Sequence, residues 1–132
     1  MKGYNPRTKY TTSNMTVFIG RNAHENETLW LTMNSNQYTD HYLWFHLDDH
    51  QSPHAILVTK QETPTRRDIM EAALYVKEFS CQEIRNQAPQ KTQVVYCPVN
   101  NLSKWFKYIR SRHVLLLLDC CFSGLSILRG SK

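Results

Sequence analysis

The segment that most constrains the fold is the stretch from Thr63 to Phe79. Ile69, Ala72, Ala73, Val76 and Phe79 recur at helical spacing and make one apolar stripe, with Arg66, Arg67, Lys77 and Glu78 mostly off it. Thr63 or Thr65 suits the N-cap, Pro64 suits the first turn, and Thr65 with Asp68 resembles a capping box. The helix is expected to end between Ser80 and Ala88, before Pro89. A helix with one apolar face must lie on something, and its neighbours read as strands. Met15-Thr-Val-Phe-Ile19 is β-branched and aromatic and stops at Gly20. Tyr42-Leu-Trp-Phe-His-Leu47 suits a largely buried strand, and His54-Ala-Ile-Leu-Val-Thr59 suits its hairpin partner across the turn cluster 48–53. Thr92-Gln-Val-Val-Tyr-Cys97 is a further strand, closed by Pro98. Arg21–Asn26 reads as a polar turn, and Leu29–Met33 fits either a short strand or a helical turn. This order predicts an α+β domain, a mostly antiparallel sheet with one long helix packed on a face.

At 132 residues there is room for one domain. Residues 1–9 read as a flexible basic lead-in, 10–105 as the domain and 106–132 as a divergent, partly apolar tail. Apolar residues at 41% exclude a disordered chain, and four cysteines do not make a disulfide scaffold at this length. The net charge is +5. Residues 1–98 hold ten basic and ten acidic side chains, so the excess lies entirely in the last quarter. A modest basic surplus favours a polyanionic partner and does not by itself establish one. The polar N-terminus has no apolar segment of a secretory signal, and the apolar run from Val114 is too broken to span a membrane. A cytoplasmic protein with reduced thiols and no membrane partner is expected.

Three segments carry chemistry worth weighing. His46, His50 and His54 are spaced by four, as a zinc site on a helix would need, but Pro53 and the Asp48-Asp49 turn forbid a helix there. On a hairpin, His46 and His54 can still meet, depending on register, and no metal is expected. Val114-Leu-Leu-Leu-Leu-Asp-Cys-Cys-Phe-Ser-Gly124 is similar to the nucleophile segment of caspase-like cysteine peptidases, with Cys120 or Cys121 as the thiol. That family's His-Gly dipeptide is missing, and an apolar segment with buried thiols is the plainer reading. Ser103-Lys-Trp-Phe-Lys-Tyr-Ile-Arg-Ser-Arg112 interleaves rings with cations, as single-stranded nucleic acid would favour. On a helix, however, Leu102, Trp105, Phe106 and Ile109 make an ordinary core stripe. No glycine-rich phosphate loop and no paired carboxylates with acid–base logic are present.

Taken in order, several of these segments resemble the NFACT RNA-binding domain family (NFACT-R). Val17-Phe-Ile-Gly-Arg-Asn22 with Asn26-Glu27 looks like its opening strand and glycine–basic–asparagine turn. Leu43-Trp-Phe-His-Leu47 is similar to its tryptophan–histidine strand, and Ser52-Pro-His54 to its serine–histidine strand start. Pro64 and Glu71-Ala-Ala73 sit where the family's helix begins. Gln93-Val-Val-Tyr-Cys97 with Asn101-Leu-Ser-Lys104 looks like its valine–tyrosine strand and following lysine. The small eukaryotic-type members resemble this chain most, and the pattern departs after Lys104, where Trp105-Phe-Lys-Tyr-Ile-Arg and the apolar run replace a glycine-containing strand.

The resemblance implies a non-catalytic module without a cofactor or small-molecule substrate. It binds RNA or other nucleic acid, with a link to translation or ribosome-associated quality control and the ribosome as a possible partner. Arg21, Asn22, Trp44, His46, His54 and Lys104 are the motif positions suited to stacking on bases or holding phosphates. Trp44 and His46 should share a strand face, since they are two apart. Arg66 and Arg67, at the helix start, are a lesser candidate for a phosphate. The alternatives are a protein-interaction module of a translation complex and a caspase-like peptidase fragment.

Overall fold

Ala55-Ile-Leu-Val58 has no polar residue in it, so as a strand it needs cover on both faces. The computed structural model, which describes residues 5–34, 42–48, 50–59, 63–88, 91–99 and 114–117, supplies that cover. Among the described residues six strands form one sheet: β1 (Arg7–Tyr10), β2 (Thr16–Ile19), β3 (Leu43–Leu47), β4 (Ala55–Val58), β5 (Gln93–Pro98) and β6 (Val114–Leu117). Their spatial order is β1-β2-β4-β3-β5-β6, and every pairing is antiparallel. Three helices accompany the sheet among the described residues: α1 (Ala23–Asn34), α2 (Arg66–Glu78) and α3 (Gln82–Asn86). Among the described residues no helix is long and apolar enough to cross a membrane.

Side chains alternate across the sheet, so each face has its own core. On one face Val17, Ile19, Phe45, Leu47, Leu57 and Val94 pack against Met70, Ala72, Ala73 and Val76 of α2. On the other, Trp44, Ile56, Val58, Val95 and Cys97 pack against Leu29 and Trp30 of α1. The α+β class and the antiparallel sheet are as expected, but the single long helix is not the whole account. A second helix of 12 residues starts inside the expected turn and runs through the ambiguous stretch. Residues 7–9, read as lead-in, belong to strand β1, because Thr11–Met15 closes a tight turn that folds them back onto β2. Asn14 takes φ 68° there, a left-handed conformation that asparagine tolerates.

Helix α2 starts where the capping pattern predicts. Thr65 Oγ1 accepts the Asp68 N–H at 3.1 Å, and the Asp68 carboxylate accepts the Thr65 N–H at 2.8 Å. The same carboxylate accepts the Ser13 hydroxyl, and Tyr75 donates its hydroxyl to the Tyr10 carbonyl at 3.0 Å. The β1–β2 hairpin is thereby fastened along α2. At the far end, Lys77 donates to the Arg85 carbonyl at 2.7 Å and ties α3 back to α2.

Candidate nucleic-acid interface

The turn after β2 is built around one glycine. The Asn26 side chain reaches across Gly20, and its Oδ1 accepts the His54 N–H at 3.1 Å. The Gly20 N–H meanwhile donates to the His54 carbonyl at 3.0 Å. A Cβ at position 20 would stand 2.0 Å from Asn26 Oδ1, so only glycine allows this approach. The knot joins the β2 end, the α1 start and the β4 start at one point. Asn22 caps α1, its Oδ1 accepting the Glu25 N–H at 2.9 Å.

Glu25 is fully buried and fully engaged. Its carboxylate accepts Arg21 Nε at 3.1 Å and Arg21 Nη2 at 2.9 Å, with the backbone N–H groups of Arg21 at 2.9 Å and Asn5 at 2.8 Å. The Arg21 guanidinium, ahead of burial acting in the opposite sense, holds this carboxyl down to about 2. The pairing fixes the arginine too: its side chain stays 42% exposed while the rest of its fork is clamped.

The hairpin brings the aromatic residues to the same place. Leu43 pairs with Leu57 and Phe45 with Ala55, and one further step of that register puts His46 beside His54. Trp44 and His46, on one strand face as expected, stack with ring centroids 5.6 Å apart and planes 8° apart. The His46 and His54 rings meet edge to face at 5.1 Å. Two hydrogen bonds set the tautomers. Trp44 Nε1–H donates to His54 Nδ1 at 3.1 Å, so the neutral His54 ring carries its proton on Nε2. The Leu47 carbonyl lies 2.7 Å from His46 Nδ1 and only accepts, so Nδ1 is protonated and Nε2 of the neutral ring offers a lone pair. Burial pushes both imidazoles towards the neutral form, His54 down to about 3 with the neighbouring His46 as a second cause.

These parts surround an open cleft of about 830 Å³, within the size range of small-ligand sites. Arg21, Asn22, His46 and His54 all line it, joined by His50 and Ser52. Trp44 lies beneath, 1% exposed, as the support on which His46 stacks. Lys104 is outside the described residues, as are Cys120, Cys121 and the 103–112 segment. Arg66 and Arg67 are exposed at the opposite end of α2, roughly 18 Å along its axis from the cleft, and Arg67 is paired with Glu71. Although His46, His50 and His54 share the cleft, no three His, Cys, Asp or Glu side chains among the described residues are placed to hold a metal ion.

Two lining residues were not singled out from sequence. Arg7, assigned to the lead-in, places its guanidinium carbon 4.4 Å from the centre of the Phe79 ring at the cleft edge. Phe79, read as part of the helix stripe, belongs to this rim and receives Lys9 as well, at 5.5 Å. The alternation Arg7-Thr-Lys9 was the available signal, since residues two apart share a strand face. Among the described residues no carboxylate lines the cleft. The N-terminal ends of α1 and α3 and the C-terminal end of α2 reach it, and with Arg21 neutralised by the ionised Glu25, Arg7 supplies the net positive charge among the described lining residues.

The cleft thus joins guanidinium groups and ring-bearing walls at the end of a strand hairpin. The chain belongs to the family described as the NFACT protein RNA binding domain, whose sequence profile matches residues 5–111. Among solved structures it is similar to the C-terminal part of the fibronectin/fibrinogen-binding protein from Streptococcus suis. That likeness has a TM-score of 0.73 at 21% identity and covers 89% of this chain and 47% of the other, so it speaks to fold alone. The chain thus spans about half the length of that structure. Comparison with curated protein sequences gives no match.

Proposed function

We propose that this protein is a non-catalytic RNA-binding module whose ligand enters the cleft between Arg7, Arg21, His46 and Phe79. The observation that carries the reading is convergence. Four motif residues from three separate segments, Arg21 and Asn22, His46, and His54, line one cleft with Arg7, and no carboxylate joins them among the described residues. Phosphates would be held by the two guanidinium groups and bases met by the rings. Membership of the family supports nucleic acid as the partner class. Work in translation or ribosome-associated quality control, with the ribosome as the RNA-bearing partner in the cytoplasm, extends the same proposal, as does assignment to the small eukaryotic-type members. A docking module for a protein partner would call for a contiguous apolar patch. The large exposed apolar side chains among the described residues are Tyr10 on β1 and Leu31 on α1, on different elements.

The test is RNA binding by fluorescence anisotropy across a salt series, with wild type beside Arg7→Gln. Affinity should fall with salt, and loss of one phosphate contact should flatten the logarithmic salt slope by about 0.7. No binding of single- or double-stranded RNA at low salt would contradict the proposal.

A further inference from the structure

The cleft has two chemically different walls, and together they suit one shape of nucleic acid. One wall presents guanidinium N–H groups, from Arg7 and from Arg21, which Glu25 both neutralises and holds in place. The other is a ring wall in which His46 stands on the buried Trp44 plate. His46 has its Nδ1 proton committed to the Leu47 carbonyl, which leaves Nε2 as a hydrogen-bond acceptor in a fixed orientation. Space of about 830 Å³ accommodates a nucleotide, whereas a duplex, whose bases are stacked and paired, offers its phosphates and 2′-hydroxyls rather than a free base.

We propose that the cleft takes one unpaired nucleotide of a single strand, its base donating an N–H to His46 Nε2 and its flanking phosphates resting at Arg7 and Arg21. The inference rests on the RNA-binding reading above and adds what form of nucleic acid the site selects. An amino or imino N–H is present on every natural RNA base, so the contact selects for an unpaired base without demanding one identity. Trp44 acts as the positioning residue: its plate keeps the His46 ring upright, and its indole N–H sets the tautomer of the adjoining His54.

The experiment compares a short fluorescein-labelled single-stranded RNA with the same strand annealed to its complement, at one salt concentration. The wild-type protein should bind the single strand tighter by about tenfold or more. His46→Leu should lose most of that preference while its duplex affinity stays within about twofold of wild type, with thermal melting confirming the fold. A mononucleotide titration of the wild-type protein, followed at the His46 ring protons by NMR, provides the same reading without a variant. Equal binding of single strand and duplex, or unmoved His46 resonances, overturns the unpaired-base site and leaves the RNA-binding reading standing. Failure to bind either form overturns both.

Discussion

Gly20 and Glu25 show how much of the site depends on single residues. Gly20→Ala would drive a methyl group into Asn26 Oδ1 and break the joint between β2, α1 and β4. A loss of about 1–3 kcal/mol is expected in urea denaturation, together with weaker RNA binding. Glu25 and His54 make the fold acid-sensitive. His54 is held down to about 3 from an ordinary 6.5, so the unfolded chain binds a proton that the folded chain refuses. Its stabilising contribution is complete above 6.5 and is lost as pH falls from 6.5 towards 3. Glu25, at about 2 against 4.5, adds a second loss below 4.5 as its carboxylate is protonated. Urea midpoints should therefore decline on acidification from about pH 7 to about pH 4, and His54→Phe should flatten the upper part of that decline. A midpoint that rises on acidification would contradict the neutral, buried imidazole.

At the scale of elements, α2 and its capping box carry the most local instruction. Thr65→Ala removes the acceptor for the Asp68 N–H and should cost about 1 kcal/mol by urea denaturation. Asp68→Ala should cost more, because the same carboxylate also accepts from Thr65 and Ser13. The start of α2, the β3–β4 hairpin and strands β2 and β5 were legible in the sequence because each follows a simple period or a turn signal. Helix α1 was not, for a physical reason. Its buried positions include Glu25 and Thr28 beside Leu29 and Trp30, so its inward side does not read as apolar. A carboxylate sits in the core because Arg21 and two backbone N–H groups satisfy it, and no periodicity count anticipates that. Strand β1 was missed for another reason: its burial alternates, but its inward residues are Arg7 and Lys9, half-buried against the Phe79 ring.

Across the whole molecule, the fold turns scattered motif residues into one surface. Arg21, Asn22, His46 and His54 were expected as nucleic-acid contacts, and all four reach the cleft, though Asn22 spends its oxygen on the α1 cap. Trp44 reaches it only from below, as the platform for His46. Arg7 and Phe79 complete the rim through contacts between β1 and the end of α2, which no local pattern specifies. The most direct test of the account is a map of backbone amide shifts on titrating the full chain with a short single-stranded RNA. Binding in the cleft predicts shifts concentrated at Gly20–Ala23, His46–Leu47, Ser52–His54 and Phe79–Cys81. Shifts gathered instead around Leu31 on the outward side of α1, with the Gly20 and His46 amides unmoved, would contradict it.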